Sequence, residues 1–418
     1  MDVVIVGAGK AGSLHYRAYS RLGRSGVLDR TRIRFVDPRE RAGAELAALL
    51  RADGLPENVV AAREKLEPTA PETTIVDLCL PSRTLAPALV DWWRAGYRNF
   101  VIEKPFMVPQ ELAREVGQVL ASSRAVLVRN YLHSRVHATV RELIDLYDLE
   151  PVLCVTNFSK DRRADSLRGR GASADGLPTV YEVEMPHQLY IGDDLLGAAR
   201  SLDHAEDLDP MAGEDGRLRL GEGLLVGRAA SGAAFVHYSN LHHPAVVRSL
   251  DLFCRGRLSV HATYAPICEE FTDIKAGVIL GRGDAVLAKQ LFTEDDNMHG
   301  MISSAYHTLR GGTGGRLGLD EVLRSDGLIR SAIAGGPGSG AGGAAPAASA
   351  PRTDLLQEWV VDSFRSGLEN GTGRSFLRFL ERRQRTRLSG VLPSLDPARD
   401  AVPGSRGTPG HAVRGALV

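Results

Sequence analysis

Within its first dozen residues the chain restricts itself to one kind of fold. DVVIV (2–6) is a short apolar run, GAGKAG (7–12) is a tight glycine turn, and SLHYRAYSRLG (13–23) has the composition of a helix. A strand that turns sharply into a helix opens a βαβ unit, and such units build parallel sheets. In Gly7-x-Gly9-x-x-Gly12 each glycine has its own task. Gly7 makes the turn, Gly9 lets the backbone approach a pyrophosphate, and Gly12 brings the helix close to the strand. The anion then rests on the first helical N–H groups, which places Lys10 and Ala11 beside it with the glycines.

The alternation continues. IRFV (33–36) ends in Asp37, a helix with Ala and Leu at helical spacing covers 40–50, and TIVDLCL (74–80) is a buried strand before PSRT. NFVI (99–102) leads into Glu103-Lys104-Pro105, a helix covers 109–121, and AVLV (125–128) is a further strand. From about residue 150 the apolar runs at 152–157, 224–226, 233–238, 249–254, 258–261 and 276–280 alternate less with helices, which points to a more antiparallel sheet. The expectation is an α/β chain: an N-terminal doubly wound parallel sheet of the Rossmann type over 1–125, then an α+β domain with a large, mostly antiparallel open sheet over 126–333. A low-complexity linker follows at 334–351, C-terminal helices packing on the body at 352–388, and a disordered tail at 389–418.

Asp37 lies 25 residues past Gly12, near the place of a ribose-binding carboxylate. An acid there favours NAD by repelling a 2′-phosphate, while Arg39 and Arg41 admit NADP; as a plain turn residue it would have neither role. Lys104 follows the strand whose carboxyl end borders the crevice of such a sheet. Hydride transfer from an alcohol needs a base for the hydroxyl proton, and the reverse reaction needs an acid; a lysine can be either. Only six of the 51 basic residues are lysines (Lys10, Lys65, Lys104, Lys160, Lys275, Lys289) and the other 45 are arginines, so a retained ammonium has a chemical reason behind it. A surface Glu-Lys pair before a turn is the alternative. Pro105 fixes the loop, through a cis bond if one is present.

Composition excludes more than it assigns. Basic and acidic residues are 51 each, so nothing suggests a nucleic-acid footprint. Cys79, Cys154, Cys254 and Cys268 lack metal or redox spacing and read as reduced cytoplasmic thiols. No charged leader precedes the first apolar run and no run of about 18 apolar residues occurs, so neither a signal peptide nor a membrane span is expected. No metal-ligand set stands out, and His242-His243 reads as a sheet contact. Arg162, Arg163, Arg168 and Arg170, in a polar loop, would be solvated or grip an anionic substrate.

The near-terminal GAGKAG, His15 three residues after its last glycine, Pro81-Ser82 after a central strand, and Glu103-Lys104-Pro105 together resemble the Gfo/Idh/MocA family of NAD(P)-dependent oxidoreductases over about residues 2–135. The resemblance implies that Pro81, Ser82 and Glu103 belong to the cofactor site and that Lys104 touches the reacting oxygen. It also implies that Asn130 and Tyr131 line the substrate site and that the second sheet makes homodimers or homotetramers. The family's Asp–His pair is altered: His187 and Leu195-Leu196-Gly197 keep the register, but Val183 and Tyr190 stand where acids are usual. Glu184, three residues before His187, could supply the carboxylate. Pro186 suits the first helical position and puts His187 in the first turn, where the helix dipole favours a neutral imidazole. A capping or packing His is the bland alternative.

The expected activity is hydride transfer between NAD, or NADP, and a secondary alcohol or ketone of a sugar, cyclitol or related polyol, with Lys104, His187 and Glu184 as the reacting groups. The alternatives are an imine or conjugated-bond reductase on the same scaffold, and an NAD(H)-binding sensor or scaffold without turnover.

Overall fold

A computed structural model describes residues 1–52, 59–60, 63, 66, 70–161, 179–212, 218–265, 276–283, 285–311 and 317–333. The expected linker, C-terminal helices and tail lie outside the described residues, as do Cys268 and the arginines of the 162–170 loop. The chain divides into two units. Of the described residues, 1–134, 179–190 and 296–333 belong to the first, and 135–161 and 191–295 to the second.

The first unit holds β1 (Asp2–Val6), α1 (Lys10–Arg24), β2 (Ile33–Val36), α2 (Glu40–Ala52), β3 (Val59–Val60), β4 (Thr74–Leu78), α3 (Ser82–Arg94), β5 (Asn99–Ile102), α4 (Ala113–Ser122) and β6 (Arg124–Leu127). Its strands form one sheet in the order β3-β2-β1-β4-β5-β6, every pairing parallel. This is the doubly wound order, with the switch point between β1 and β4. β1, β4 and β5 are buried along their whole lengths, which is why they read as continuous apolar runs. One core packs Val4, Val76, Leu78, Phe100 and Ile102 of the sheet against Leu85, Leu89 and Trp92 of α3 and Val116, Val119 and Leu120 of α4. Each such side chain contributes about 1.5–3 kcal/mol through its removal from water.

The second unit begins with α5 (Arg135–Leu146) and β7 (Pro151–Asp161). The first then takes α6 (Val180–Val183), and α7 (Met185–Leu196) runs from the first unit into the second. There follow β8 (Ala199–Ala212), β9 (Leu218–Ala229), β10 (Ala234–Asn240), β11 (His242–Cys254), β12 (Leu258–Thr263), β13 (Ala276–Arg282) and β14 (Ala285–Phe292). Finally α8 (Asn297–Leu309) and α9 (Leu319–Ile333) return to the first unit, where Leu317 and Val322 join its core. The eight strands pair in the order β14-β13-β12-β11-β7-β10-β9-β8, antiparallel except for β7 with β10. The open, mostly antiparallel sheet was expected; the return of 179–190 and 296–333 to the first unit was not, because it depends on contacts between segments far apart in sequence. Among the described residues no helix is long and apolar enough to cross a membrane.

Candidate functional site

The glycine turn meets the demands that its spacing sets. Gly7 has φ +103, and a Cβ there would lie 2.4 Å from the carbonyl oxygen of Cys79. A Cβ on Gly12 would lie 2.0 Å from the carbonyl oxygen of Gly7, so helix and turn touch through bare backbone. At Gly9 the nearest atom to such a Cβ is Arg39 Nη2, at 3.6 Å, which leaves that side open. Gly9 is also the N-cap of α1, no side chain caps the helix, and its first turn holds no acid. An uncapped helix start leaves N–H groups for an outside acceptor, and the dipole favours an anion. Lys10, Ala11 and Gly12 form that turn, so these residues fit a dinucleotide pyrophosphate.

Asp37 lies just beyond β2 with its side chain buried, and its carboxylate has four donors within the chain. Ala8 N–H donates to Oδ2 at 2.7 Å, and Arg39 donates from its backbone N–H at 2.8 Å and Nε at 3.0 Å to Oδ1 and from Nη2 at 2.6 Å to Oδ2. Two carboxylate oxygens offer about four acceptor directions, and these four donors take them. Burial pushes the Asp37 carboxyl up, and the hydrogen bonds from Arg39 and Ala8 outweigh it, holding the group below its ordinary value. The Arg39 side chain is 62% exposed. The expected NAD-favouring acid is thus neutralised by the arginine two residues on. Nothing is described of the Arg41 side chain.

At the next carboxyl ends, Pro81 precedes α3, and Ser82 Oγ donates to Glu182 Oε1 at 3.2 Å. Glu182 also closes a capping box with Thr179 at the start of α6. It escaped the sequence reading, though T-x-x-E was a signal that could have found it. The Lys104–Pro105 bond is cis. Lys104 Nζ donates to the Val183 carbonyl oxygen at 2.9 Å. At the position where the resemblance leads one to expect a carboxylate side chain, the lysine still finds an oxygen, from the backbone.

Glu184 joins α6 to α7 and is 1% exposed; its carbonyl accepts the His187 N–H at 3.1 Å. His187 lies in the first turn of α7, as expected, although the helix begins at Met185 rather than Pro186. Its ring stands edge to face with Tyr131, centroids 5.0 Å apart, so these two residues come together. Asn130 is buried beside Tyr131 in a short turn, and its amide donates to Asn297 Oδ1 at 2.7 Å, an anchor for α8. Glu103 turns inward: its Oε2 lies 3.3 Å from His15 Nε2, and His15 Nδ1 lies 2.9 Å from Asp77 Oδ2.

Of the cysteines, Cys79, Cys154 and Cys254 are free and buried. His243 is buried in β11.

No protein-family model and no curated protein matches the chain. Among solved structures it is similar to KijD10, a 3-ketoreductase from Actinomadura kijaniata in complex with NADP and TDP-benzene. That likeness has a TM-score of 0.62 at 14% identity, over 80% of this chain and 98% of the other. It is also similar to an oxidoreductase from Agrobacterium radiobacter in complex with NAD+, L-tartaric acid and magnesium, with a TM-score of 0.59 at 13% identity, over 80% and 95% of the two chains. The chain shares their fold.

Proposed function

We propose that the chain is an NAD(P)-dependent oxidoreductase acting on a secondary alcohol or ketone carbon of a sugar, cyclitol or related polyol, and that NADP(H) is the nucleotide it takes. The uncapped start of α1 at the three-glycine turn carries this reading, because it offers a pyrophosphate site at the carboxyl end of β1, beside the switch point. The similar folds solved with NADP and with NAD+ support it.

The bound nicotinamide supplies or accepts the hydride. The Arg39 guanidinium receives the 2′-phosphate, with Asp37 holding it in place. Lys104 serves the reacting oxygen: as an amine it takes the hydroxyl proton of an alcohol, and as an ammonium it gives a proton to the oxygen of a ketone. Tyr131 and His187 wall the substrate side, and Glu184 serves with them. A homo-oligomer built on the second unit's sheet is part of the proposal, since its edge strand β14 exposes Val286, Leu287 and Leu291.

Fluorescence titration with NADPH and NADH, followed by a turnover panel of polyols, keto-sugars, nucleotide-linked sugars and cyclic imines, tests this. Lys104→Met should retain nucleotide binding and lose about 10²–10⁴-fold in turnover. Binding of neither nucleotide sinks the reading, and full turnover by Lys104→Met sinks the mechanism.

A further inference from the structure

The start of α3 and the start of α6 share one side chain. α3 follows β4 at the carboxyl ends of the first sheet, beside the switch point. No side chain caps it, and its first turn holds no acid. Its first N–H groups therefore favour negative charge brought from elsewhere. Glu182 comes to this end from a hundred residues further on, and its Oε1 accepts the Ser82 hydroxyl at 3.2 Å. Its other oxygen, Oε2, accepts the Thr179 N–H at 2.9 Å and the Thr179 hydroxyl at 3.4 Å. Glu182 is 8% exposed, so a carboxylate there needs donors, and these three reach it.

α6 depends on this side chain. It is a single turn, Val180–Val183, and one helical turn is unfavourable by itself. The capping box closes it: the Glu182 N–H donates to the Thr179 side chain, while the Glu182 carboxylate takes the Thr179 N–H. Ser82 then ties the same carboxylate to the first residue of α3. The next residue after Glu182 is Val183, whose carbonyl oxygen accepts Lys104 Nζ at 2.9 Å. A lysine carries its charge on a flexible four-carbon stem, so whatever holds the acceptor helps to decide where Nζ stands. Ser82, Lys104, Thr179, Glu182 and Val183 all belong to the first unit.

We propose that Glu182 is a positioning residue: by joining the starts of α3 and α6 it fixes the Val183 carbonyl, and through that carbonyl the place of Lys104 Nζ. Glu182 acts through Val183 and needs no contact with a reacting atom. The pair of contacts matters here, and the charge does not. A glutamine would keep both contacts, its amide oxygen accepting the Thr179 N–H and its NH2 group donating to the Ser82 hydroxyl oxygen. The value of this anchoring to catalysis rests on the proposed role of Lys104; the anchoring itself does not.

The anchoring can be read without substrate or nucleotide. Brief reductive methylation with ¹³C-formaldehyde labels the lysines of the full chain, and peptide masses give the rate at Lys104 relative to Lys289, which is exposed in β14. In Glu182→Ala the relative rate at Lys104 should rise about tenfold, as a hydrogen bond from a charged donor is lost, and in Glu182→Gln it should stay within about twofold of the native rate. An unchanged rate in Glu182→Ala, or an equal rise in Glu182→Gln, overturns the proposal. Should Glu182→Ala fail to fold, Ser82→Ala cuts the tie to α3 alone and should raise the rate about threefold; no rise there overturns the proposal equally. In the turnover panel, Glu182→Ala should lower kcat and kcat/KM together by about ten- to hundredfold, and Glu182→Gln should recover most of both. Full turnover by Glu182→Ala overturns the positioning role. Failure to bind nucleotide would remove the proposed function and leave the labelling rates to decide the anchoring.

Discussion

Replacing Arg39 with alanine should invert the choice of nucleotide, and the structure sets the size of the effect. Unit charges about 4 Å apart interact by ~1 kcal/mol in bulk water and ~4 kcal/mol near a protein surface. Arg39 is 62% exposed, so the lower part of that range applies, and its loss should remove ~1.5 kcal/mol of attraction for a 2′-phosphate. A second effect adds to the first. Asp37, stripped of the two side-chain donors among its four, regains an uncompensated charge that repels the phosphate and acceptor positions that suit a ribose diol. Together these should weaken NADPH about thirtyfold, equivalent to ~2 kcal/mol, and leave NADH unchanged or a few-fold tighter. Fluorescence titration of both nucleotides at about 50 mM salt measures this. Repeating it at about 500 mM should shrink the native preference, since exposed charges are screened. Adding Asp37→Asn to Arg39→Ala should recover part of the lost NADPH affinity. A native protein that prefers NADH tenfold, or an Arg39→Ala variant that weakens both nucleotides equally, refutes the reasoning.

Further expectations concern stability and the turn. Gly12→Ala puts a methyl 2.0 Å from the carbonyl oxygen of Gly7, so it should cost about 1–3 kcal/mol in urea unfolding and abolish binding of both nucleotides. His237, in β10, is buried with Nδ1 2.7 Å from Thr156 Oγ1, and burial drives its pKa down from 6.5 to about 3. Between those values the unfolded chain binds a proton that the folded chain refuses. This stability is complete above pH 6.5 and falls by up to ~1.4 kcal/mol per pH unit below it. Urea unfolding of the native protein and of His237→Leu at about pH 5 and 7 should show a shallower pH dependence in the variant; identical slopes would remove His237 as the source. His15 acts in the opposite sense. Its raised pKa adds stability that is whole below pH 6.5 and is lost as pH climbs through the folded value, so His15→Met should flatten the alkaline side of the profile.

What could be read from sequence was what neighbours in the chain decide. The turn from β1 to α1 and the buried strands β4 and β5 follow from spacing over a few residues, and the handedness of βαβ units then orders the sheet. Asp37 was legible as a position, but its partner depends on which way Arg39 folds back, a rotamer choice without periodic signal. His15 and Glu103 stand 88 residues apart and Ser82 and Glu182 a hundred apart, so their contacts exist only once the sheet has formed. The same distance hid the return of α8 and α9 to the first unit. Lys104 shows both sides: its rarity marked it, while its hydrogen bond to a backbone carbonyl carries no residue identity to read.

The single parallel pairing in the second sheet has a consequence in time. β7 is flanked by β10 and β11, which follow each other in the chain yet do not pair with each other. Leu153 therefore meets its β10 neighbour, Ala234, 81 residues later, and its β11 neighbour, Phe253, later still. At synthesis rates of about 5–20 residues per second, β7 emerges roughly 4–16 seconds before either flanking strand exists. A growing chain thus displays an apolar strand with both hydrogen-bonding edges open, and whatever shields that strand during those seconds governs how much of this protein reaches its native state.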